Sequence, residues 1–413
     1  MTDKLLSGLV KPLAALAFCL GVLVAGAGIA RAASPSEPRV AAAMEVEVDG
    51  ARTRLKVTLS HPVTATAHVL ERPDRVVIDF PEVAFHLPPE TGRKREGLIA
   101  SYRYGLFAPG RSRVVVDLSQ PAMVSRIDTI ASPRDGATLL IVELAKADRE
   151  EFRRAAAESA TKLAAPAAEP APSDQGDRRP VIMLDPGHGG VDPGAAAAGG
   201  MVEKDIVFAF AQLFRKKLEA EGRYRVLMTR EQDVFVPLGE RVRIAQRAKA
   251  DLFISIHADS IAGGQQDVRG LTIYTGAERA SDADSARLAD RENQADAVAG
   301  LDPGEQAAEE VSDILRDLTL RETRAFSHSF ASRLVGELDT VARMNKNPHR
   351  QAGFRVLRAH DIPSVLVELG YLSSRKDFDL LMSDQWRERS TTAMTAAVDR
   401  FFAKRQALRP ALP

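Results

Sequence analysis

Four side chains of the 413-residue chain stand where a folded sheet exposes reactive groups: His188 in VIMLDPGHGG, Glu203 in MVEKD, His257 in LFISIHADS and Glu368 in PSVLVELGY. Two imidazoles and one carboxylate form a typical catalytic zinc set whose fourth position is left to water, and such a site lowers the pKa of that water to about 7. A further carboxylate beside the water can take its proton and hand it to a leaving nitrogen, the acid–base step that amide hydrolysis needs. Glu368 is assigned that role. A single histidine after a strand is more often structural than ligating, so the pair carries the inference. The other six histidines, His61, His68, His86, His328, His349 and His360, lack a strand-end Gly or Asp setting. Glu203 taken alone would fit as a first-turn acid favoured by the helix dipole. Glu368, between Val367 and Leu369, would be costly to bury without a partner.

These groups need a scaffold that gathers several strand ends. From Pro180 to about Lys404, apolar strands (VIMLD, RVLMTR, LFISIH, LTIYT, PSVLVELG) alternate with amphipathic helices at Lys204 to Glu221 and Leu238 to Ala250. That pattern predicts an α/β domain, residues 180–404, with a mostly parallel sheet covered by helices on both faces, whose C-terminal strand ends converge. Residues 278–320 break the rhythm: they are acidic, Ala-rich and helical in pattern, with a Gly-Leu-Asp-Pro-Gly break at Gly300 to Gly304. They read as an insertion, and insertions of this size beside a site often serve as lids or regulators.

Ahead of this domain, residues 1–33 read as a secretory signal peptide: Lys4 and Lys11, an apolar run from Leu13 to Ala30, then Ala30-Arg31-Ala32. The run is short for a membrane span and ends in small residues, so cleavage is expected, leaving no stable membrane span. The only cysteine, Cys19, leaves with it. A mature chain without cysteine has no disulfide and no thiol nucleophile, so a metal must be held by His, Asp or Glu, which fits an exported, periplasmic bacterial protein. Basic and acidic residues balance at 56 each, which gives no argument for a nucleic-acid partner, and none is expected. Residues 34–144 carry short strands (MEVEV, RLKVTL, RVVIDF, RVVVDL, TLLIVEL) and predict an all-β domain. RLKVTLSHPV at Arg54 to Val63 lines up with RVVVDLSQPA at Arg113 to Ala122, so the domain is expected to be internally duplicated as two related sheets. Residues 145–179 open with a short charged helical pattern and end in Ala, Pro and polar residues; they read as a flexible linker.

Together DPGHGG, the following EK, LGERVRIAQ leading into ADLFISIHAD, and PSVLVELGYLS resemble the zinc-dependent N-acetylmuramoyl-L-alanine amidases of bacterial cell-wall turnover, over essentially all of Pro180 to Lys404. The resemblance implies zinc ligation by His188, Glu203 and His257, catalysis by Glu368, and cleavage of the bond between N-acetylmuramic acid and L-alanine of the stem peptide. Ser374 departs from the family, which often has Asn after the Ser, and bears on local packing. The N-terminal strands resemble the AMIN domain of the cell-division members, which implies peptidoglycan binding and targeting to the envelope or septum. Ser285 to Gly300, SARLADRENQADAVAG, resembles the regulatory helix of those amidases, which covers the active site until an activator with a degenerate LytM-like fold displaces it. Glu292 is then the candidate to fill the open zinc position, with Glu305, Glu309 and Glu310 as rivals and a solvated acidic helix face as the plain alternative. Other classes consistent with the residues are a zinc carboxypeptidase on wall peptides and a non-catalytic wall-binding scaffold; a glycosidase would leave two histidines idle.

Overall fold

The structure is a computed structural model that describes residues 38–131, 137–160, 177–260, 269–301 and 314–408. The expected signal peptide, with Cys19, lies outside the described residues, as do Glu305, Glu309 and Glu310. No helix among the described residues is long and apolar enough to cross a membrane.

The first domain is all-β. Strands β1 (Val40–Asp49), β2 (Arg52–Leu59), β3 (Thr66–Leu70), β4 (Arg75–Pro81), β5 (Ala84–Phe85), β6 (Ile99–Ala108), β7 (Arg111–Leu118), β8 (Ala122–Ala131) and β9 (Thr138–Lys146) form two sheets, ordered β5-β1-β2-β9-β8 and β3-β4-β7-β6. The duplication is visible in this order, with one difference from expectation. Each sheet draws strands from both repeats: β5, β1 and β2 are joined to β9 and β8 in one, and β3 and β4 to β7 and β6 in the other. Alternation along the strands turns Leu55, Val57, Val76, Ile78, Val114, Val116, Leu140 and Val142 into one shared core between the sheets. The segment expected as linker from residue 145 begins inside β9 and continues as helix α1 (Arg149–Ala160). Its charged surface hides a narrow apolar stripe, Phe152 and Ala156, buried in the same core, so the linker reading is corrected up to residue 160. Residues 161–176 lie outside the described residues.

The second domain is α/β, as expected. Strands β10 (Val181–Pro186), β11 (Arg225–Met228), β12 (Leu252–His257), β13 (Leu271–Gly276), β14 (Met344–Ala352) and β15 (Ser364–Glu368) form one sheet in the order β11-β10-β12-β15-β13-β14. The first four are mutually parallel; β13 runs antiparallel to β15, and β14 runs with β13. Helices α2 (Glu203–Ala220), α6 (Ile314–Leu338) and α8 (Asp384–Leu408) cover one face, packing Phe210, Phe214, Phe330, Phe401 and Trp386 on Ile182, Ile254 and Val365. Helix α3 (Leu238–Arg247) and helix α4 (Ala283–Glu292) help cover the other, where Met183, Phe253, Tyr274, Leu288 and Phe354 form a second core. A four-residue helix α5 (Ala295–Val298) follows α4, and α7 (Arg375–Leu381) precedes α8. Ser374 caps α7, its hydroxyl accepting from the Asp377 backbone N–H, a capping role that asparagine would also serve.

Candidate active site and metal centre

The chain leaves β10 into the turn 187–194 on the C-terminal side of the parallel strands. His188 there has a left-handed backbone, φ 57°, a conformation that costs a non-glycine residue energy and collects at functional positions. The neighbouring Gly187 is required sterically: a Cβ would stand 2.4 Å from Cε1 of His257. The next turn of chain delivers Glu203 as the first residue of α2, and β12 and β15 end on His257 and Glu368, which are paired in register. All four are buried.

His188, Glu203 and His257 each offer a ligand atom within 4.8 Å of the others. Nε2 of His188 lies 3.1 Å from Oε2 of Glu203, and Nδ1 of His257 lies 3.2 Å from Oε1. The surroundings fix each donor. Asp192 accepts from Nδ1 of His188 at 2.9 Å, which leaves Nε2 to face the cluster without a hydrogen-bond partner. Glu203 accepts backbone N–H bonds from Ala195 and Ala258, both at 2.9 Å. Burial works against the Glu203 carboxylate, yet the adjacent His188 and His257 hold it well below the usual range. Burial likewise lowers His188, but Glu203, Asp192 and Glu292 outweigh it and raise the imidazole well above its ordinary value. A cluster of two nitrogens and a carboxylate, with an orphaned imidazole nitrogen aimed into it, fits a divalent metal.

Glu368 stands beside this cluster. Its Oε2 accepts from the Asp259 backbone N–H at 3.1 Å, while Oε1 is buried without a hydrogen-bond partner. Burial, with the negative groups Asp259, Glu203 and Glu292 nearby, raises the carboxyl well above the usual carboxylate range. A carboxyl so placed has a high proton affinity, the property needed of a group that takes up a proton and returns it.

A carboxylate from the insertion completes the arrangement. Helix α4 is capped by Asp282, whose side chain accepts from Ser285, and ends with Glu292 between the two imidazoles. Oε2 of Glu292 is 3.2 Å from Nδ1 of His257 and 3.5 Å from Nε2 of His188. Burial pushes the Glu292 carboxyl up, the two imidazoles pull it down, and the net is about 7. The preceding Arg291 pairs with Asp259, and Leu288 and Ala289 bury on the domain core. All five residues singled out from the sequence therefore meet at one place. Asp192 and Asp259 were not among them; the signals available were the His-x-x-x-Asp spacing of the turn and the HAD that starts at the last residue of β12.

The model of the N-acetylmuramoyl-L-alanine amidase family matches residues 182–400, and that of the AMIN domain matches 44–142. The chain belongs to the N-acetylmuramoyl-L-alanine amidase family. Over 368 residues this amidase is 33% identical to N-acetylmuramoyl-L-alanine amidase AmiC of Neisseria meningitidis serogroup B, covering 84% of this chain and 86% of that one. It is 31% identical over 401 residues to N-acetylmuramoyl-L-alanine amidase AmiC of Escherichia coli O6:H1, covering 92% and 95%. A solved structure, of AmiC2 of Nostoc punctiforme, is 27% identical, with a TM-score of 0.40, and covers 55% of this chain and 99% of that chain. This protein is thus an amidase that acts on peptidoglycan, and the carboxypeptidase and scaffold alternatives fall away.

Proposed function

We propose that this amidase is an exported, self-inhibited zinc enzyme that splits the septal wall of a dividing bacterium. The observation that carries the reading is the meeting of His188, Glu203, His257, Glu368 and Glu292 at one set of strand ends. His188, Glu203 and His257 would hold zinc. Bound there, zinc would supply Lewis-acid polarisation of a carbonyl and a more acidic water. The chain's own residues do the rest. Asp192 fixes the His188 tautomer, the Ala195 and Ala258 N–H groups fix Glu203, and the Asp259 N–H fixes Glu368. Glu368 accepts a proton from the attacking water and returns it to the stem-peptide nitrogen as the amide bond breaks.

Glu292 occupies the same place from α4, which supports a resting state in which the insertion blocks substrate. Release then requires a partner that binds the displaced segment better than the docked one; a division-site activator with a LytM-like domain is the partner expected. The AMIN domain would bind peptidoglycan and bring the enzyme to the septum of the periplasm. Metal analysis of the purified protein, with mass spectrometry of digested sacculi, tests the reading. Stoichiometric zinc and stem peptides with a free L-alanine amine are expected, and intact muramic acid–alanine bonds would overturn it.

A further inference from the structure

The outer face of the β3-β4-β7-β6 sheet touches the segment that carries Glu292. Arg75 of β4 donates to the carbonyl of Ala297, Arg103 of β6 to that of Val298 at 2.7 Å, and Arg113 of β7 to those of Ala299 and Gly300 at 2.9 and 3.3 Å. Four consecutive carbonyls, at and just past the end of α5, are thus taken by three guanidiniums. Helix C-termini leave such carbonyls short of partners, and charged donors bind them more strongly than neutral ones.

The arginines are themselves held. Asp117 accepts from Arg75 and Arg103 at 2.7 Å each, and Asp79 grips Arg113 with two bonds of 2.6 and 2.8 Å. The Phe107 ring lies 3.5 Å from the Arg113 guanidinium carbon. Beneath them Val77, Val115 and Phe107 form an apolar floor with Phe235, Ala299 and Leu301. Gly300 fits only as glycine, with φ 75° and an added Cβ 2.7 Å from Val77. Among the described residues, every hydrogen bond that these three arginines make outside their own domain ends on residues 297–300.

We propose that the first domain is a lock on the inhibitory segment: Arg75, Arg103 and Arg113 hold its tail, and this hold sets how readily Glu292 leaves the metal site. The proposal rests on the reading that Glu292 blocks that site. Its consequence is reciprocal: whatever lifts this sheet face off the catalytic domain loosens the plug, and whatever draws the plug away frees three arginines and weakens the seating of the first domain.

The test uses the full, zinc-loaded chain and two readouts: amide hydrogen exchange across residues 285–301, and basal hydrolysis of purified sacculi. Arg113→Gln is the direct variant; because Arg113 is buried, the double variant Arg75→Gln/Arg103→Gln provides the same test at less buried positions. In both, exchange in the segment should quicken about tenfold, equal to about 1.4 kcal/mol, and basal hydrolysis should rise in step, while protection of β2 and β9 stays at the parent level. Glu292→Ala runs alongside. If Glu292→Ala raises hydrolysis but the arginine variants neither loosen the segment nor raise hydrolysis, the lock is wrong and the plug stands. If Glu292→Ala leaves hydrolysis at the parent rate, the plug reading fails, and the lock with it.

Discussion

His257 and Glu368 face each other in register at the ends of the adjacent parallel strands β12 and β15. Neighbouring strands run about 4.8 Å apart, so the sheet itself sets the spacing between a proposed metal ligand and the proposed proton carrier. Replacing Glu368 by Gln keeps the shape and removes the titrating group. Hydrolysis of sacculi should fall by about 10²- to 10⁴-fold with the zinc content unchanged. Loss of metal together with activity would reassign Glu368 as a ligand.

His188→Ala should lose metal and activity together. Asp192→Asn is the finer probe, because it leaves all three donors present and disturbs only the tautomer and aim of His188. Zinc affinity, measured by competition with a chelator, should weaken about 10- to 100-fold. An unchanged affinity would mean that the Asp192 contact is structural.

Glu292→Ala should raise basal hydrolysis and reduce dependence on an activator, since a buried carboxylate no longer fills the space between His188 and His257. The variant should also gain access for a small chelator, read as faster zinc extraction. A folded, zinc-loaded variant as slow as the parent on both measurements would remove self-inhibition by this segment.

Acid stability should depend on Asp185, which is fully buried and accepts from Arg241 at 2.8 Å, Thr229 at 2.6 Å and Ser255 at 2.7 Å. Burial opposes its charge, but these partners hold the carboxyl below its usual value. A folded pKa below the unfolded one contributes stability above the unfolded value near 4, and that contribution is lost as pH falls through the folded pKa. Asp185→Asn should therefore cost about 3–5 kcal/mol at neutral pH, the cost of stranding the buried Arg241 charge. The gap in denaturation midpoint between variant and parent should close in strong acid; a gap that widens below pH 4 would contradict the assignment.

The core of the site was legible because His257 and Glu368 end apolar strands, Glu203 starts a helix, and His188 sits in a glycine-rich turn just past a strand. Asp192 and Asp259 escaped notice because an aspartate in a turn looks like ordinary turn chemistry. Strand β14, MNKNPHRQA, is polar and contains Pro348, a composition that suits its place at the sheet edge and hides it from a search for apolar runs. The reversed direction of β13 was not readable either, since LTIYT reports burial and not orientation. In the first domain, β6 carries register shifts that break its two-residue period, and edge strand β8 buries little beyond Ala122. The outward faces of RVVIDF and RVVVDL did leave a trace: three apolar residues in a row where a half-solvated strand would alternate, which marks a sheet covered on both sides.

The exchange of strands between the repeats also governs how the first domain can come into being. Because β2 pairs with β9, and Arg52 and Arg54 reach Glu143 across about ninety residues of chain, the five-stranded sheet cannot close until both repeats have been synthesised, and the four-stranded sheet must wait for β7 of the second. Such long-range pairing slows folding. A nascent chain that stops after β7 holds β2 with an unpaired edge, open to pairing with another copy. The duplicated unit is consequently not two small modules joined in series but one indivisible folding unit, and a half-domain fragment should aggregate where the intact domain remains monomeric.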